Sequence, residues 1–429
     1  MAERYPNRLM DPKTGFCRQT GIYSCLRPPV PLPPISQPLS AAEFCFSIFN
    51  STFTDGATTF SVNTTTGKTL SYSQFVSQVR SLTYSLQQRY SLSQNDVAFI
   101  LSPPSIHIPV VYFALLSLGL VVSPANPLSS NSEIAHQIQL SKPVVAFVTS
   151  ETSHKIPSLK HGTVLLDSPE FLSLLTQSNI VNGITKSVKV NQSDTAAILY
   201  SSGTTGRVKG VMMTHRNLIA MMTVIHHQNT NQGQGNTVVL VERFDFEEML
   251  RAVEKYKVTG MPVSPPLVVA FVKSDLTRKY DLSSLQRLGC GGAPLGKDIA
   301  MRFNEKFPGV LLVQGYGLTE TGGGATRVIE PEEAARYGSV GRLAENMEGK
   351  IVDPETGEAL PPGRRGELWL RGPTVMKGYV GDEKATAETL DSEGWLKTGD
   401  ICYFDSEGFL YVVDRLKELI KYKAYQVPE

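Results

Sequence analysis

The chain has 429 residues, which at roughly 150 residues per domain suggests two or three units and leaves ample length for a buried core. Its 41 Lys and Arg balance 40 Asp and Glu to a net charge of +1, so no global field draws it to nucleic acid or to an anionic membrane. With 35 glycines and 27 prolines it lies below the roughly 25% that marks low complexity. Cys17, Cys25, Cys45, Cys290 and Cys402 are odd in number and never spaced as Cys-x-x-Cys. That pattern argues against a disulfide framework or a zinc site and suggests a reducing, intracellular setting.

No apolar stretch follows Glu3, Arg4 and Arg8, so a secretory signal is not expected. The proline-rich segment 27–34 favours an extended surface arm, with an SH3-type ligand as the alternative. Beyond it, Phe75, Val79, Leu82 and Leu86 repeat at helical spacing, and 97–101 reads as a strand. Between Ala98 and Ser132 there is no charged side chain, yet six Pro and Gly residues cut the run to a core of 110–122. That core is too short to span a bilayer, and a buried helix ending at Gly119 followed by a buried strand accounts for it. The alternation continues through a strand at 143–149, a helix at 170–175, strands at 196–200 and 310–313, and a helix at 246–256. This is the pattern of an α/β fold with helices on both faces of a largely parallel sheet. From about Gly349 the texture changes to short strands between turn signals, such as 366–371 beyond Pro361-Pro-Gly363. The expected organisation is an arm at 1–40, an α/β core at 41–345, a β-rich subdomain at 346–415, and a hinge with the stub of a further domain at 416–429.

The most informative segment is the strand-like Asp194-Thr-Ala-Ala-Ile-Leu-Tyr200 followed by Ser201-Ser-Gly-Thr-Thr-Gly-Arg-Val-Lys-Gly210. Ser201, Ser202, Thr204 and Thr205 supply hydroxyl donors, Gly203, Gly206 and Gly210 permit close backbone approach, and Lys209 adds positive charge. Together they suit a polyphosphate. It is not a Walker loop, because only two residues separate Gly203 from Gly206. Read alone, the segment could equally be a Ser/Thr/Gly turn. His215, in Thr214-His215-Arg216, reads as loop structure rather than a catalytic group, and His226-His227 have no metal-ligand spacing.

In company with Gly291-Gly-Ala-Pro-Leu-Gly296, Gln314-Gly-Tyr-Gly-Leu-Thr-Glu320, Thr398-Gly-Asp400 and the run from Asp414 to Lys423, this segment resembles the ordered signatures of the adenylate-forming superfamily. Those enzymes include acyl-CoA synthetases, luciferases and peptide-synthetase adenylation domains. Ala125-Asn-Pro127 and 421–427 look most like the plant 4-coumarate:CoA ligases and 4-coumarate:CoA ligase-like proteins. The resemblance implies the superfamily's large domain, with stacked α/β sheets and a small β-rich subdomain. It also implies a two-step reaction in which ATP converts a carboxylic acid to an acyl-adenylate and coenzyme A then displaces AMP. Lys209, Thr319 and Glu320 would be catalytic, with Glu320 holding Mg²⁺. Ser201 to Gly206, Gln314, Gly315, Asp400, Arg415, Lys417 and Lys421 would contact the nucleotide. Ala293 would line the acyl pocket, and Arg243, Lys423 and Ala424 would meet coenzyme A.

Three departures from the family pattern qualify this expectation. Val208 stands where a proline usually precedes the loop lysine, which only softens the turn. Between His227 and Arg243 the chain looks about thirty residues short, removing a strand and part of the acyl-pocket wall from a close-packed interior. The family pattern also continues for on the order of a hundred residues beyond position 429, as a mobile lid whose loss would impair both half-reactions. The readings kept open are a fatty-acyl or oxylipin ligase, a nucleotide-binding remnant without catalysis, and a fragment that does not fold. Neither nucleic acid nor a membrane span is expected, the location reads as cytoplasmic, and the peroxisomal address of some relatives is a carboxy-terminal Ser-Lys-Leu.

Overall fold

The computed structural model describes residues 10–52, 58–176, 188–201, 208–229 and 236–416. It also traces a backbone hairpin of Leu419–Tyr422 with Tyr425–Pro428. Two layered α/β sheets and one antiparallel sheet organise the chain. The first sheet has seven strands, in the order Gly378–Tyr379, Lys209–Thr214, Thr195–Ser201, Val121–Pro124, Val97–Leu101, Val145–Val148 and Thr163–Leu165. The last five are mutually parallel, and Lys209–Thr214 alone runs against them, antiparallel to both of its neighbours.

Why the parallel strands are apolar throughout is visible at Val97–Leu101. Ala98 and Ile100 belong to the cluster formed with helices Tyr72–Arg89 and Ile108–Ser117, while Phe99 and Leu101 join Ile134 of helix Asn131–Ser141. A strand covered on both sides has no polar face to offer. The helix read from Phe75, Val79, Leu82 and Leu86 runs over Tyr72–Arg89 with those four side chains buried. It starts at a capping box in which Ser71 Oγ accepts from the Gln74 N–H at 3.2 Å and Gln74 Oε1 accepts from the Ser71 N–H at 2.9 Å. The uncharged run resolves into helix Ile108–Ser117 and strand Val121–Pro124. Among the described residues no helix is long and apolar enough to cross a membrane.

The second sheet has five strands, Gly260–Val263, Arg287–Cys290, Leu311–Leu318, Gly323–Arg327 and Arg342–Leu343. Leu288, Cys290 and Leu312 pack against helices Phe246–Tyr256, Pro265–Lys273 and Lys297–Lys306, so these helices take one face and leave the other to line a cleft. The strand expected at 310–313 extends to Leu318 through five further residues, of which Gly315 and Gly317 have little strand propensity. Parallel pairing to Arg287–Cys290 gives way after Gln314 to antiparallel pairing with Gly323–Arg327, with a bulge between Tyr316 and Gly317. At Gly317 an added Cβ would collide with the Gly323 carbonyl, so the close approach of these two strands requires glycine.

The third sheet is wholly antiparallel: Phe16–Cys17, Ile22–Ser24, Glu348–Val352, Gly366–Arg371, Leu396–Phe404 and Leu410–Arg415. The expected β-rich subdomain therefore draws two strands from the 1–40 segment, which is more than an arm. Tyr23 is fully buried there, its ring stacked on Phe404 with centroids 4.2 Å apart. The proline-rich stretch does run along the body as an extended strap. Arg27 pairs with Glu333 at 2.9 Å, and the Pro34 carbonyl accepts from Gln192 Nε2 at 2.7 Å. Of the polar segment where the chain looked short, 230–235 lies outside the described residues, and Val238–Leu240 pairs in parallel with Thr59–Asn63 in a small three-stranded sheet.

Candidate functional site

Strand Thr195–Ser201 returns as Lys209–Thr214 in an antiparallel hairpin that sets Lys209 opposite Ser201. Ser202, Gly203, Thr204, Thr205 and Gly206 lie outside the described residues. Lys209 Nζ sits 4.6 Å above the ring of Tyr379, and the Tyr379 hydroxyl donates to Glu320 Oε1 at 2.9 Å. Ser201 Oγ donates to the same oxygen at 3.1 Å. Three segments far apart in sequence thus converge: the hairpin, the 3₁₀ turn Thr319–Thr321, and the edge strand Gly378–Tyr379. Burial above all, and then the Glu320 charge, push the Tyr379 phenol well above its ordinary value, so it remains a donor.

Glu320 turns Oε1 to Ser201 and Tyr379, and neither bond engages Oε2. Among the described residues no three His, Cys, Asp or Glu side chains gather as a metal cage. Mg²⁺ is usually held by one or two carboxylates and many substrate oxygens, a role open to Glu320.

Gly210, expected to ease the approach of a phosphate, has a different task. An added Cβ would lie 2.5 Å from Val380 Cγ1 and 3.1 Å from Ile198 Cγ2, so this glycine lets neighbouring strands close up. His215 is likewise neither loop nor catalyst. It is the first residue of helix His215–Asn229, fully buried, and its Nδ1 accepts from the Ala41 N–H at 3.0 Å, pinning helix Ala41–Thr52 to the sheet. Burial depresses its pKa to about 4, against a smaller opposing pull from Asp194.

Gln314, Gly315, Ala293, Asp400 and Arg415 line one cavity of about 590 Å³. Asp400, buried and paired in register with Arg415, accepts from Arg415 Nε at 2.9 Å through Oδ1 and from the Tyr316 hydroxyl at 2.6 Å through Oδ2. The preceding Gly399 has φ +72°, a conformation that swings the strand so that Asp400 turns inward. Each carboxylate oxygen has a second lone pair, so two acceptor positions remain for a ligand. Burial and the neighbouring Asp400 hold the Tyr316 phenol protonated.

A second cavity of about 770 Å³ shares Gly292 and the stretch from Gln314 to Leu318 with the first, and adds Thr319, Leu199 and Gly289. Cavities of this size and mixed lining are typical of small-molecule sites. Arg243 is exposed, on the segment after Val238–Leu240, and lines neither cavity. Lys417, Lys423 and Ala424 lie outside the described residues. Lys421 is in the terminal hairpin, its backbone paired with Gln426.

A family model described as AMP-binding enzyme matches residues 52–234 and 232–380, two stretches that together take in most of the chain. The chain belongs to the AMP-binding enzyme family. Among its relatives, 4-coumarate--CoA ligase-like 9 of Arabidopsis thaliana is 59% identical over 460 aligned residues, covering 98% of this chain and 82% of that protein. Peroxisomal OPC-8:0-CoA ligase 1 of the same plant is 41% identical, covering 97% and 82%. Among solved structures, the luciferase-like enzyme of the nonluminescent mealworm Zophobas morio superposes with a TM-score of 0.78 at 26% identity, over 91% of this chain and 99% of that one. The fold is that of the adenylate-forming enzymes.

In this AMP-binding enzyme the two matched stretches meet at 232–234, within the polar segment. Sequence reading missed Tyr316 and Tyr379. The first lay in plain sight inside the Gln314 to Glu320 motif, whereas the second had no signal beyond an aromatic after Lys377-Gly378.

Proposed function

We propose that this AMP-binding enzyme is an ATP-dependent acid:CoA ligase of the 4-coumarate:CoA ligase-like group. A carboxylate oxygen attacks the α-phosphorus of ATP, the bond to the bridging oxygen breaks, and pyrophosphate leaves with the electron pair. The sulfur of coenzyme A then attacks the acyl carbonyl carbon, the carbon–oxygen bond to phosphate breaks, AMP departs, and the thiol proton passes to solvent. The observation that carries this reading is the meeting of Lys209, Ser201 and Glu320 beside a cleft closed on its far side by Asp400 and Arg415.

In this reading Lys209 and the loop 201–206 neutralise the leaving pyrophosphate, and Thr319 contacts the α-phosphate. Glu320 holds Mg²⁺, whose chemistry when bound is to offset phosphate charge. Asp400 receives the ribose hydroxyls with Arg415 beside it, Gln314, Gly315 and Ala293 border the adenylate and the acyl group, and Lys421 adds a nucleotide contact. Lys417 is the hinge residue, and Arg243, Lys423 and Ala424 are the coenzyme A contacts. Aromatic, fatty and oxylipin-like acids are the candidate substrates and the cytoplasm the proposed location. A peroxisomal setting is known here only from the name of one relative.

ATP–pyrophosphate exchange with cinnamic, fatty and oxylipin acids tests this reading. Acid-dependent exchange lost in Lys209→Ala supports it, and exchange unaffected by that change refutes it. A second reading, a nucleotide-binding protein disabled in catalysis, is favoured by the interrupted family match at 232–234. ATP binding without exchange, with exchange gained on restoring a relative's intervening segment, would decide for it.

A further inference from the structure

The larger cavity has an unusual floor. On strand Arg287–Cys290, Leu288 and Cys290 face the helices, so Arg287 and Gly289 face the cavity by alternation. Val313 pairs beside Gly289, and Arg327 pairs beside Gly315 on the next strand. An added Cβ at Gly289 would meet nothing within 4 Å. The surface therefore runs as open glycine from the shared wall at Gln314 towards two guanidinium groups. Arg287 lies three residues from Cys290, the partner of Gln314, a distance of about 10 Å along the strand.

The two arginines are unequally compensated. Arg327 is ion-paired with the buried Glu345, but its Nε is buried without a hydrogen-bond partner. Arg287 donates to the Val328 carbonyl at 2.8 Å and makes no ion pair among the described residues, Glu330 being the carboxylate that acts on it from longer range. Partial burial, and next the charge of Arg327, pull its pKa down. The uncompensated positive charge, that of Arg287, thus lies at the end of the cavity away from the nucleotide. Arg favours bidentate recognition of carboxylates.

We propose that this cavity takes a dicarboxylic acid: one carboxylate is activated at the Gln314 wall, and the second pairs with Arg287. The inference rests on the acid-activating reading of the site and names its substrate class. An alkyl or aromatic spacer lies over Gly289, where an added Cβ would meet nothing within 4 Å, and against the side chain of Val313.

The test compares suberate with octanoate, equal in length and differing in the far carboxylate, by calorimetric binding to the full chain with saturating AMP. Suberate should bind about tenfold tighter, as expected of a charge-assisted contact, and the ratio should fall to near one in Arg287→Gln. Arg287→Lys, which keeps the charge without the fork, should lie between. Equal affinities in the wild type, no suberate binding, or an unchanged ratio in Arg287→Gln would overturn the proposal. Exchange assays run in parallel separate the two readings. Suberate preference without exchange on any acid counts against the ligase and leaves the anion site standing. Exchange with octanoate and suberate equally well sinks the anion site alone.

Discussion

His215 offers the sharpest quantitative check on the fold that carries the site. Its ring is fully buried, its Nδ1 accepts from the Ala41 N–H, and its pKa falls from 6.5 to about 4, chiefly through burial. Because the folded value is the lower one, the unfolded chain takes up the proton first as the pH drops. Stability from this group is complete above pH ~6.5 and is lost progressively down to pH ~4. Integrating the two titrations gives a loss of about 2 kcal/mol between pH ~7.5 and pH ~5. In His215→Asn the amide oxygen can take over as acceptor for Ala41, but nothing titrates. Urea unfolding of both proteins at the two pH values isolates the effect as a double difference, free of the variant's own fixed cost. A wild-type loss exceeding the variant's by about 2 kcal/mol is expected. Equal losses would refute the assignment of a buried, neutral imidazole.

Further expectations concern the site itself. Lys209→Ala should weaken ATP binding tenfold or more, roughly the worth of a charged contact, while the melting temperature hardly moves, since only a contact with the Tyr379 ring worth about 1 kcal/mol is lost; calorimetry and thermal melts check both, and unchanged ATP affinity would refute the role. Tyr316→Phe leaves Asp400 Oδ2 without its phenol donor and should cost about 1–3 kcal/mol in urea unfolding together with weaker AMP binding. Gly210→Ala should destabilise by roughly 1–3 kcal/mol through overpacking, with much of the loss regained in combination with Val380→Ala, the side chain that crowds the new methyl; a neutral Gly210→Ala would contradict the packing role. Chelating Mg²⁺ should abolish pyrophosphate exchange without affecting AMP binding, and loss of AMP binding on chelation would speak against a metal role confined to the polyphosphate.

How much of this was legible in the sequence depended on how local the determining physics is. Helix Tyr72–Arg89 could be read because its buried face repeats every three or four residues. Strand Thr195–Ser201 could be read because an apolar run empties into a cluster of glycine and hydroxyl residues within ten positions. Strand Leu311–Leu318 was seen only in part, since its second half is held by pairing with Gly323–Arg327 and not by any preference of Gly315 or Gly317 for extended backbone. Phe16–Cys17 and Ile22–Ser24 are too short to show any period. The partners of His215 and Glu320 were hidden for a different reason. Ala41 lies 174 residues from the histidine and Tyr379 lies 59 residues from the glutamate, and no single-sequence pattern encodes such pairings.

The placement of Ile22–Ser24 against Glu348–Val352 also governs the order in which the protein can be made. Tyr23 finds its hydrogen-bond acceptor at Leu360 and its stacking partner at Phe404, so this segment waits for a partner 337 residues further along the chain. Until then the Tyr23 ring and an unpaired strand stay exposed to solvent, the kind of exposure that invites chaperones and mispairing. Asp400 lies in the same sheet as Ile22–Ser24, so the cavity it lines is completed only when segments far apart in the sequence close on each other, and under the proposed function AMP should protect the chain from proteolysis only once that sheet has formed.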